Sequence, residues 1–144
     1  MSPVDAAYVA GIVDGEGTIT LTRTHRGERR RPVISISSNE LSMLSYVQSV
    51  VRYGKITRKA KRASHHQPSY SHVVTSRRAL SLLREIAPYL HTYKAERARL
   101  LLSSYLAATP RNGRYSAAQR CARDAMERRF FEISVRAKAQ TALA

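Results

Sequence analysis

The sequence is poor in cysteine and lacks long apolar runs, and each shortage excludes a class of protein. Cys121 is the single cysteine among 144 residues. This excludes an intramolecular disulfide framework and a zinc site built from several cysteines. No apolar run reaches the roughly 18–20 residues that a membrane-spanning helix needs, and residues 1–5 lack the basic start of a signal peptide. We therefore expect a protein with no membrane partner, in the cytoplasm or the interior of an organelle.

Acidic residues are also few, and they are unevenly placed. Ten acids stand against 25 lysines and arginines, for a formal net charge of +15 at pH 7, and such an excess favours a polyanionic partner. Asp5, Asp14 and Glu16 lie in the first 16 residues, where no lysine or arginine occurs, whereas residues 17–78 hold thirteen basic residues against two acids. A basic block that binds phosphates, beside an acidic focus that holds a cation, suits a site that cuts phosphodiesters. A solvated basic surface with nonspecific affinity for nucleic acid has the same composition.

Hydrophobic residues make up 43% of the chain, enough for the core of a single domain, and their spacing predicts an α+β fold. We expect Asp5 to be the N-cap of the first helix, and Gly15 and Gly17 to end it. Four antiparallel strands with helices on one face would occupy residues 4–107, followed by a helical extension over residues 110–144. The predicted helices are residues 4–14, 40–53, 78–86, 93–107 and 116–135, and the predicted strands are residues 18–24, 32–37, 55–61 and 69–76.

The first helix carries small residues on one face. Gly11 and Gly15 lie four residues apart, and Ala7 and Ala10 widen the flat surface, so that a second helix can approach at backbone distance. If two copies of this helix packed together, two Glu16 carboxylates would come close and would need a cation between them or a raised pKa. Oxygen ligands suit Mg²⁺. The alternative is an ordinary helix end followed by a glycine-rich turn, with Glu16 solvated.

Residues 9–17, VAGIVDGEG, resemble the LAGLIDADG motif of homing endonucleases. Other segments also resemble this family, in the same order along the chain. They are residues 36–41 and 54–56 around the second helix, residues 87–90, Lys94 and residues 98–100, and residues 113–115 before the last helix. The resemblance covers nearly the whole chain and implies the family's αββαββα fold with a saddle-shaped sheet.

The resemblance also implies a function. The protein would be an intron-encoded type of DNA endonuclease that uses Mg²⁺, with Mn²⁺ as a possible substitute, and no small-molecule cofactor. It would make double-strand breaks with short 3′ overhangs in a long, nearly palindromic DNA site. Because only one motif is present, the active form would be a homodimer with the motif helices at its centre. The interface would contain Ala7, Ala10, Gly11, Asp14 and Gly15.

Individual residues match positions of known roles in the family. Glu16 stands at the metal-binding carboxylate, where Asp is the commoner residue, and the carbonyl oxygen of Gly15 stands where the family can contribute a metal ligand. Lys94 matches the basic residue near the scissile phosphate, where it would stabilise developing charge or orient water. Ser38 falls where some members carry a longer side chain that holds water near the metals.

Sequence-specific contacts are expected from the polar face of the sheet in the major groove, where Arg reads guanine and hydroxyls read varied base edges. Arg26 and Arg30 could equally bind phosphates. The predicted DNA contacts are Thr20, Thr22, Thr24, Arg26, Arg29, Arg30, Arg31, Ser35, Lys59, Lys61, Tyr70 and His72.

Two other functions fit the same sequence. A LAGLIDADG-like fold also serves intron maturases and DNA-binding regulators that do not cleave, and the acid at Glu16 together with Lys94 favours a nuclease over these. A basic ribosomal or RNA-packaging protein would share the charge but not the small-residue helix face.

Overall fold

The computed structural model describes residues 1–59 and 68–134, so that Lys61, a predicted DNA contact, lies outside the described residues. The chain divides into two compact units, Met1–Leu90 and His91–Ala144. The division falls inside the core predicted for residues 4–107. The first unit contains α1 (Pro3–Glu16), β1 (Gly17–Thr22), β2 (Arg31–Ser38), α2 (Leu41–Val51), β3 (Lys55–Arg58), β4 (Tyr70–Thr75), α3 (Ser76–Ile86) and a short 3₁₀ helix (Ala87–Tyr89). The second unit contains α4 (Tyr93–Ser104) and α5 (Ala117–Glu132).

The four strands form one antiparallel sheet in the order β1-β2-β4-β3. Alternation produces its two faces, because successive side chains of a strand point to opposite sides. In β1, Ile19 and Leu21 are buried, whereas the intervening Thr20 is half-buried and Thr18 exposed. The α+β prediction and the order αββαββα are confirmed.

Helices α1, α2 and α3 pack on one face of this sheet. Val13 of α1, Leu44 of α2 and Leu83 of α3 have no exposed surface, and Ile34 and Ile36 of β2 are almost completely buried. Burial of an aliphatic side chain of this size stabilises a fold by about 1.5–3 kcal/mol. The sheet therefore has a helix-covered core face and an opposite face that the three helices leave uncovered.

Helix α1 begins earlier and ends later than predicted. Ser2, not Asp5, is the N-cap, because the Ser2 hydroxyl accepts the Asp5 backbone N–H at 3.1 Å. Hydrogen bonds from the Ser2 and Tyr46 hydroxyls, both 2.6 Å long, lower the pKa of the Asp5 carboxyl. Gly15 lies within the helix, and Glu16 is its last residue.

Gly17 marks the sharp change from helix to strand. Its backbone N–H bonds to carbonyls of the last turn of α1, and a Cβ at this position would lie 2.7 Å from the Val13 Cα. Only a glycine lets β1 start this close to the helix, so the role of Gly17 in ending α1 agrees with the prediction.

A second glycine fixes the connection between α2 and β3. Helix α2 ends at Val51, and Arg52 adopts a left-handed conformation with φ of 61°. Gly54 follows with φ of 91°, and a Cβ there would lie 2.6 Å from the Val73 carbonyl oxygen and 2.7 Å from the His72 Nε2. The helix therefore ends at a non-glycine residue, and Gly54 is required by its contact with β4.

In the second unit, two arginines pack against aromatic rings. Arg123 has no exposed surface, its Nε donates to Glu127 at 3.2 Å, and its guanidinium lies 4.1 Å from the Tyr105 ring centroid. The Arg97 guanidinium lies 4.6 Å from the Phe130 centroid, and burial lowers its pKa. Part of the chain's positive charge is thus packed inside this unit.

The helices of residues 1–59 and 68–134 are all too short or too polar to cross a membrane.

Candidate nucleic-acid interface

The side of the sheet away from α1, α2 and α3 carries mostly hydroxyl and basic side chains, and we call it the polar face. Paired residues of neighbouring strands share a face, so the register defines its membership. It comprises Thr18, Thr20, Thr22, Arg31, Val33, Ser35, Ser37, Lys55, Thr57, Ser71, Val73 and Thr75. The predicted contacts Thr20, Thr22, Arg31 and Ser35 lie on it.

The prediction omitted six polar members of this face. Alternation with isoleucines in β1, β2 and β3 identifies four of them, whereas the two in β4, which is polar on both sides, are identified only by its pairing with β2. They are Thr18, Ser37, Lys55, Thr57, Ser71 and Thr75.

Lys59 joins three strands across the polar face. It follows β3, where its backbone N–H donates to the Ser69 carbonyl at 2.8 Å, and its Nζ donates to the Ser37 Oγ of β2 at 2.8 Å. The Ser37 hydroxyl in turn donates to the Ser71 Oγ of β4 at 3.3 Å. The Lys59 ammonium is thus held over the interior of the polar face and not at its edge.

Tyr70 and His72 lie on the other side of the sheet. The His72 side chain is 1% exposed, and its Nε2 donates to the Tyr53 carbonyl at 2.8 Å. Burial lowers the pKa of this imidazole. Tyr70 pairs with Ser38 and shares the core-side face with His72. Their prediction as members of the polar face is wrong, because the hydroxyls of β4 occupy the alternate positions and polarity alone does not set the parity of a short strand.

The hairpin loop of residues 23–30 connects β1 and β2 and is ordered by its own side chains. One Glu28 carboxylate oxygen accepts the backbone N–H groups of Thr24 and His25, each at 3.3 Å. The Glu28 N–H closes a turn on the His25 carbonyl at 3.1 Å. Arg31 Nη2 donates to the Thr24 Oγ1 at 3.0 Å. The predicted contact Thr24 therefore lies in the loop, next to Arg31 of the polar face.

Three further predicted contacts belong to this loop. Arg26 is exposed, whereas Arg29 and Arg30 are half-buried. Arg30 Nη1 donates to the Leu21 carbonyl at 3.4 Å. Arg26 is thus open to solvent, whereas Arg30 is tied to the strand that precedes the loop.

Glu16 ends α1 as an exposed carboxylate. The C-terminus of a helix carries partial negative charge, and the last turn of α1 contains no basic residue. The Glu16 carboxylate and the main-chain carbonyl oxygen of Gly15 are oxygen donors, which suit Mg²⁺ or Ca²⁺. Among the described residues no group of three His, Cys, Asp or Glu side chains could hold a metal. These two donors would therefore need further oxygen ligands from a second copy, water or a phosphate.

The outward face of α1 carries small exposed residues beside the larger exposed side chains of Val4 and Tyr8. Ala7, Gly11 and Gly15 are exposed, and a Cβ at either glycine would meet nothing within 4 Å. Ala10, by contrast, has no exposed surface, so its prediction as an interface residue is wrong: the helical repeat places it on the core side. Asp14 is half-buried.

The register sets the distance between the acidic and the basic parts of this surface. Gly17, next to Glu16, pairs with Ile36 at one end of the sheet, and Thr22 pairs with Arg31 at the other. The six residues of β1 span about 17 Å at a rise of about 3.4 Å per residue. Ser38 lies at the Glu16 end, where its hydroxyl accepts the Glu40 N–H at 3.0 Å.

Lys94 belongs to the second unit. It lies in the first turn of α4, its backbone N–H donates to the Thr92 Oγ1 at 3.3 Å, and its side chain is only 6% exposed. The Lys94 Nζ lies 5.9 Å from the Tyr93 ring centroid. A catalytic role for Lys94 stays a prediction.

Comparison with known proteins identifies a matching family model and several similar structures. Residues 3–87 match the family model of the LAGLIDADG-like domain. The homing endonuclease I-CvuI, in complex with its target in the presence of 2 mM Ca, has a TM-score of 0.72 at 18% identity, over 92% of this chain and 83% of its own. I-SmaMI, bound to an uncleaved DNA target in the presence of calcium ions, has a TM-score of 0.66 at 18% identity, over 97% of this chain and 48% of its own. An archaeal intron-encoded homing endonuclease complexed with DNA gives 0.61 at 17% identity, over 91% and 84%.

Proposed function

The chain belongs to the family of LAGLIDADG-like domains, and from this premise we propose that it is a site-specific DNA endonuclease. The observation that carries the proposal is the polar face, which ends beside the exposed Glu16 carboxylate on one side and beside an arginine-rich loop on the other. A surface of this kind combines base contacts, phosphate contacts and an acidic group that can hold a cation.

The dimensions of the polar face suit duplex DNA. A strand length of about 17 Å corresponds to about five base pairs, since duplex DNA rises by about 3.4 Å per pair. Hydroxyls and the Lys59 ammonium would face base edges in the major groove, and Arg26 of the loop would extend the contact along the phosphates. The structures of the similar endonucleases described above contain bound DNA.

Two copies of the chain would complete the site. The exposed small residues Ala7, Gly11 and Gly15 of α1 allow a second α1 to approach closely. Both copies of Glu16 would then lie near the symmetry axis. A dimer of this kind would recognise a long, nearly palindromic target, with one polar face on each half.

A divalent cation, Mg²⁺ or Mn²⁺, would polarise the scissile phosphate and lower the pKa of a bound water. The Glu16 carboxylate and the Gly15 carbonyl would hold it, and the chain's own excess of positive charge would neutralise the DNA backbone. Lys94 and Ser38 remain candidates for stabilising charge and orienting water. We propose that cleavage of both strands across the minor groove leaves short 3′ overhangs.

The test is cleavage-site selection from a randomised DNA library in the presence of Mg²⁺. The wild type should select a nearly two-fold-symmetric site and cut both strands. Glu16→Gln should bind this site with unchanged affinity and lose cutting, because it keeps the side chain's size but removes the charge. Glu40→Gln, at an exposed acid just before α2, is the control and should cut normally.

Three outcomes would contradict the proposal in different ways. Specific binding without cutting by the wild type would indicate a regulator or maturase. Preference for duplex RNA over DNA would indicate an RNA-binding protein. Loss of binding in Glu16→Gln would assign Glu16 a structural role.

A further inference from the structure

We propose that Glu28 is a positioning residue for target recognition, which shapes the hairpin loop of residues 23–30 so that Thr24 holds the Arg31 guanidinium at the edge of the polar face. The inference rests on the proposed DNA-binding function of that face. It assigns a role to an acid in the part of the chain that is otherwise most basic.

Electrostatics alone would argue against an acid at this position. Residues 23–31 contain five arginines and one acid, Glu28. A carboxylate close to DNA phosphates is repelled and reduces the number of counterions released on binding. If Glu28 only contributed charge, its removal would therefore strengthen DNA binding.

The geometry gives Glu28 a different task. Its Oε2 accepts two consecutive backbone N–H groups, those of Thr24 and His25, while its own N–H closes the turn on the His25 carbonyl. Donors to a charged acceptor make stronger hydrogen bonds than neutral pairs. The carboxylate therefore ties both sides of the loop together and fixes Thr24.

Thr24 passes this order on to Arg31. The Thr24 Oγ1 accepts a hydrogen bond from Arg31 Nη2 at 3.0 Å, and Arg31 is paired with Thr22 at the start of β2. A guanidinium has five N–H donors in one plane, so fixing one of them restricts the orientations in which the others can meet the O6 and N7 of a guanine. Glu28 would thus determine base preference at one position of each half-site.

Two variants of Glu28 separate charge from geometry, because both remove the same carboxylate charge. In Glu28→Gln an amide oxygen can still accept the two N–H groups, whereas Glu28→Ala removes the acceptor. We expect Glu28→Ala to bind the selected target about tenfold more weakly, because binding must then order a loop that has lost two hydrogen bonds, and to lose preference for one base in each half. Glu28→Gln should stay within about twofold of the wild type, because its amide oxygen keeps both hydrogen bonds, although each is weaker than with a carboxylate.

Two further variants serve as controls. Glu40→Ala removes an exposed acid whose side chain makes no cap hydrogen bond, and it should leave base preference unchanged. Thr24→Val keeps the backbone N–H that Glu28 binds but removes the Oγ1 that holds Arg31. It should therefore broaden preference at the same base position as Glu28→Ala.

Stronger binding by both Glu28→Ala and Glu28→Gln would show that the acid only repels DNA and would overturn the proposal. An unchanged base preference in Thr24→Val would overturn the link to Arg31. If the wild type bound no DNA, the proposed function would fail, but the loop contacts would still be tested by amide hydrogen exchange without DNA. The Thr24 and His25 amides should exchange faster in Glu28→Ala and not in Glu28→Gln, and equal exchange in both would contradict the role of Glu28.

Discussion

Gly54 occupies a position where backbone conformation and packing both require glycine. Its φ of 91° is strained for any residue with a Cβ, and that Cβ would lie 2.6 Å from a backbone oxygen of β4. We expect Gly54→Ala to lower the free energy of unfolding by about 2–4 kcal/mol, the sum of backbone strain and overpacking. Urea denaturation would measure it.

Gly27→Ala is the matched control for this change, since a Cβ at Gly27 meets nothing within 4 Å. Its free energy of unfolding should stay within about 0.5 kcal/mol of the wild type. Equal stability of the two variants would mean that the contact between Gly54 and β4 is not maintained in solution.

His72 predicts a pH dependence of stability. Burial lowers the pKa of its imidazole from 6.5, so the folded state binds fewer protons than the unfolded state below that pH. Stability should thus be complete above about pH 6.5 and decline as the pH falls from there towards the lowered pKa. The melting temperature from pH 7.5 to 5 would measure it, with buffers at about equal ionic strength.

His72→Gln can still donate to the Tyr53 carbonyl but does not titrate. It should be less stable than the wild type at pH 7.5 and lose less stability than the wild type on acidification. If both proteins lost the same stability between pH 7.5 and 5, other groups would account for the effect.

Sequence reasoning at this scale succeeded where a residue's neighbours along the chain determine its orientation. Thr20, Thr22 and Ser35 were placed on the polar face because each alternates with buried aliphatic residues. His72 was misplaced, because β4 is polar on both sides and only pairing with β2 fixes its parity. A buried imidazole that bonds a backbone carbonyl from a distant turn leaves no local signal.

At the scale of elements, α1 has one face packed in the core and an opposite face that is exposed. Val9, Ala10 and Val13 pack against the core without exposed surface, while Gly11 and Gly15 remain open. The motif predicted the helix and its small residues, but the predicted helix ended two residues before Glu16, its last residue in the structure. Glycine disfavours but does not forbid helix, and the helix continues through Gly15 until the close contact of Gly17 with Val13 ends it.

Gly11→Ala tests whether the outward face of α1 joins two copies. In an isolated chain the change should raise helix stability by about 1 kcal/mol, because alanine is the better helix former. At a close helix contact the extra methyl separates the backbones, and we expect the dimer to dissociate about tenfold more readily, a cost typical of overpacking by one methyl group. Sedimentation equilibrium would measure the dissociation constant of the dimer. Thermal unfolding at low protein concentration would measure the stability of the isolated chain.

Gly27→Ala again serves as the control, because it adds the same methyl group at an open position away from α1. It should leave self-association unchanged. A Gly11→Ala protein with wild-type self-association would show that the outward face of α1 is not the dimer contact.

For the whole molecule, the net charge indicates a DNA-binding surface only once the structure shows which basic residues have partners within the chain. The total of +15 includes Arg97 and Arg123, which stack on aromatic rings inside the second unit. The sequence alone could not separate these from Arg26 or Lys59, because composition does not report which arginines have internal partners. The basic groups near the polar face are therefore fewer than the total charge indicates.

The distribution of the remaining charge predicts how binding depends on salt. Arg26 is exposed in the loop, and we expect it to contact a phosphate, whereas Arg31 is held by Thr24 at the polar face. Each phosphate contact contributes about 0.9 to the slope of log K against log salt. In a dimer with one Arg26 per half-site, Arg26→Ala should thus reduce the slope by about 2 and weaken binding to all sequences alike. Arg31→Ala should instead relax base preference. Fluorescence anisotropy titrations from about 50 to about 300 mM salt would distinguish the two variants. An unchanged slope in Arg26→Ala, or an altered base preference there, would reverse the assignment of phosphate and base contacts between the loop and the sheet.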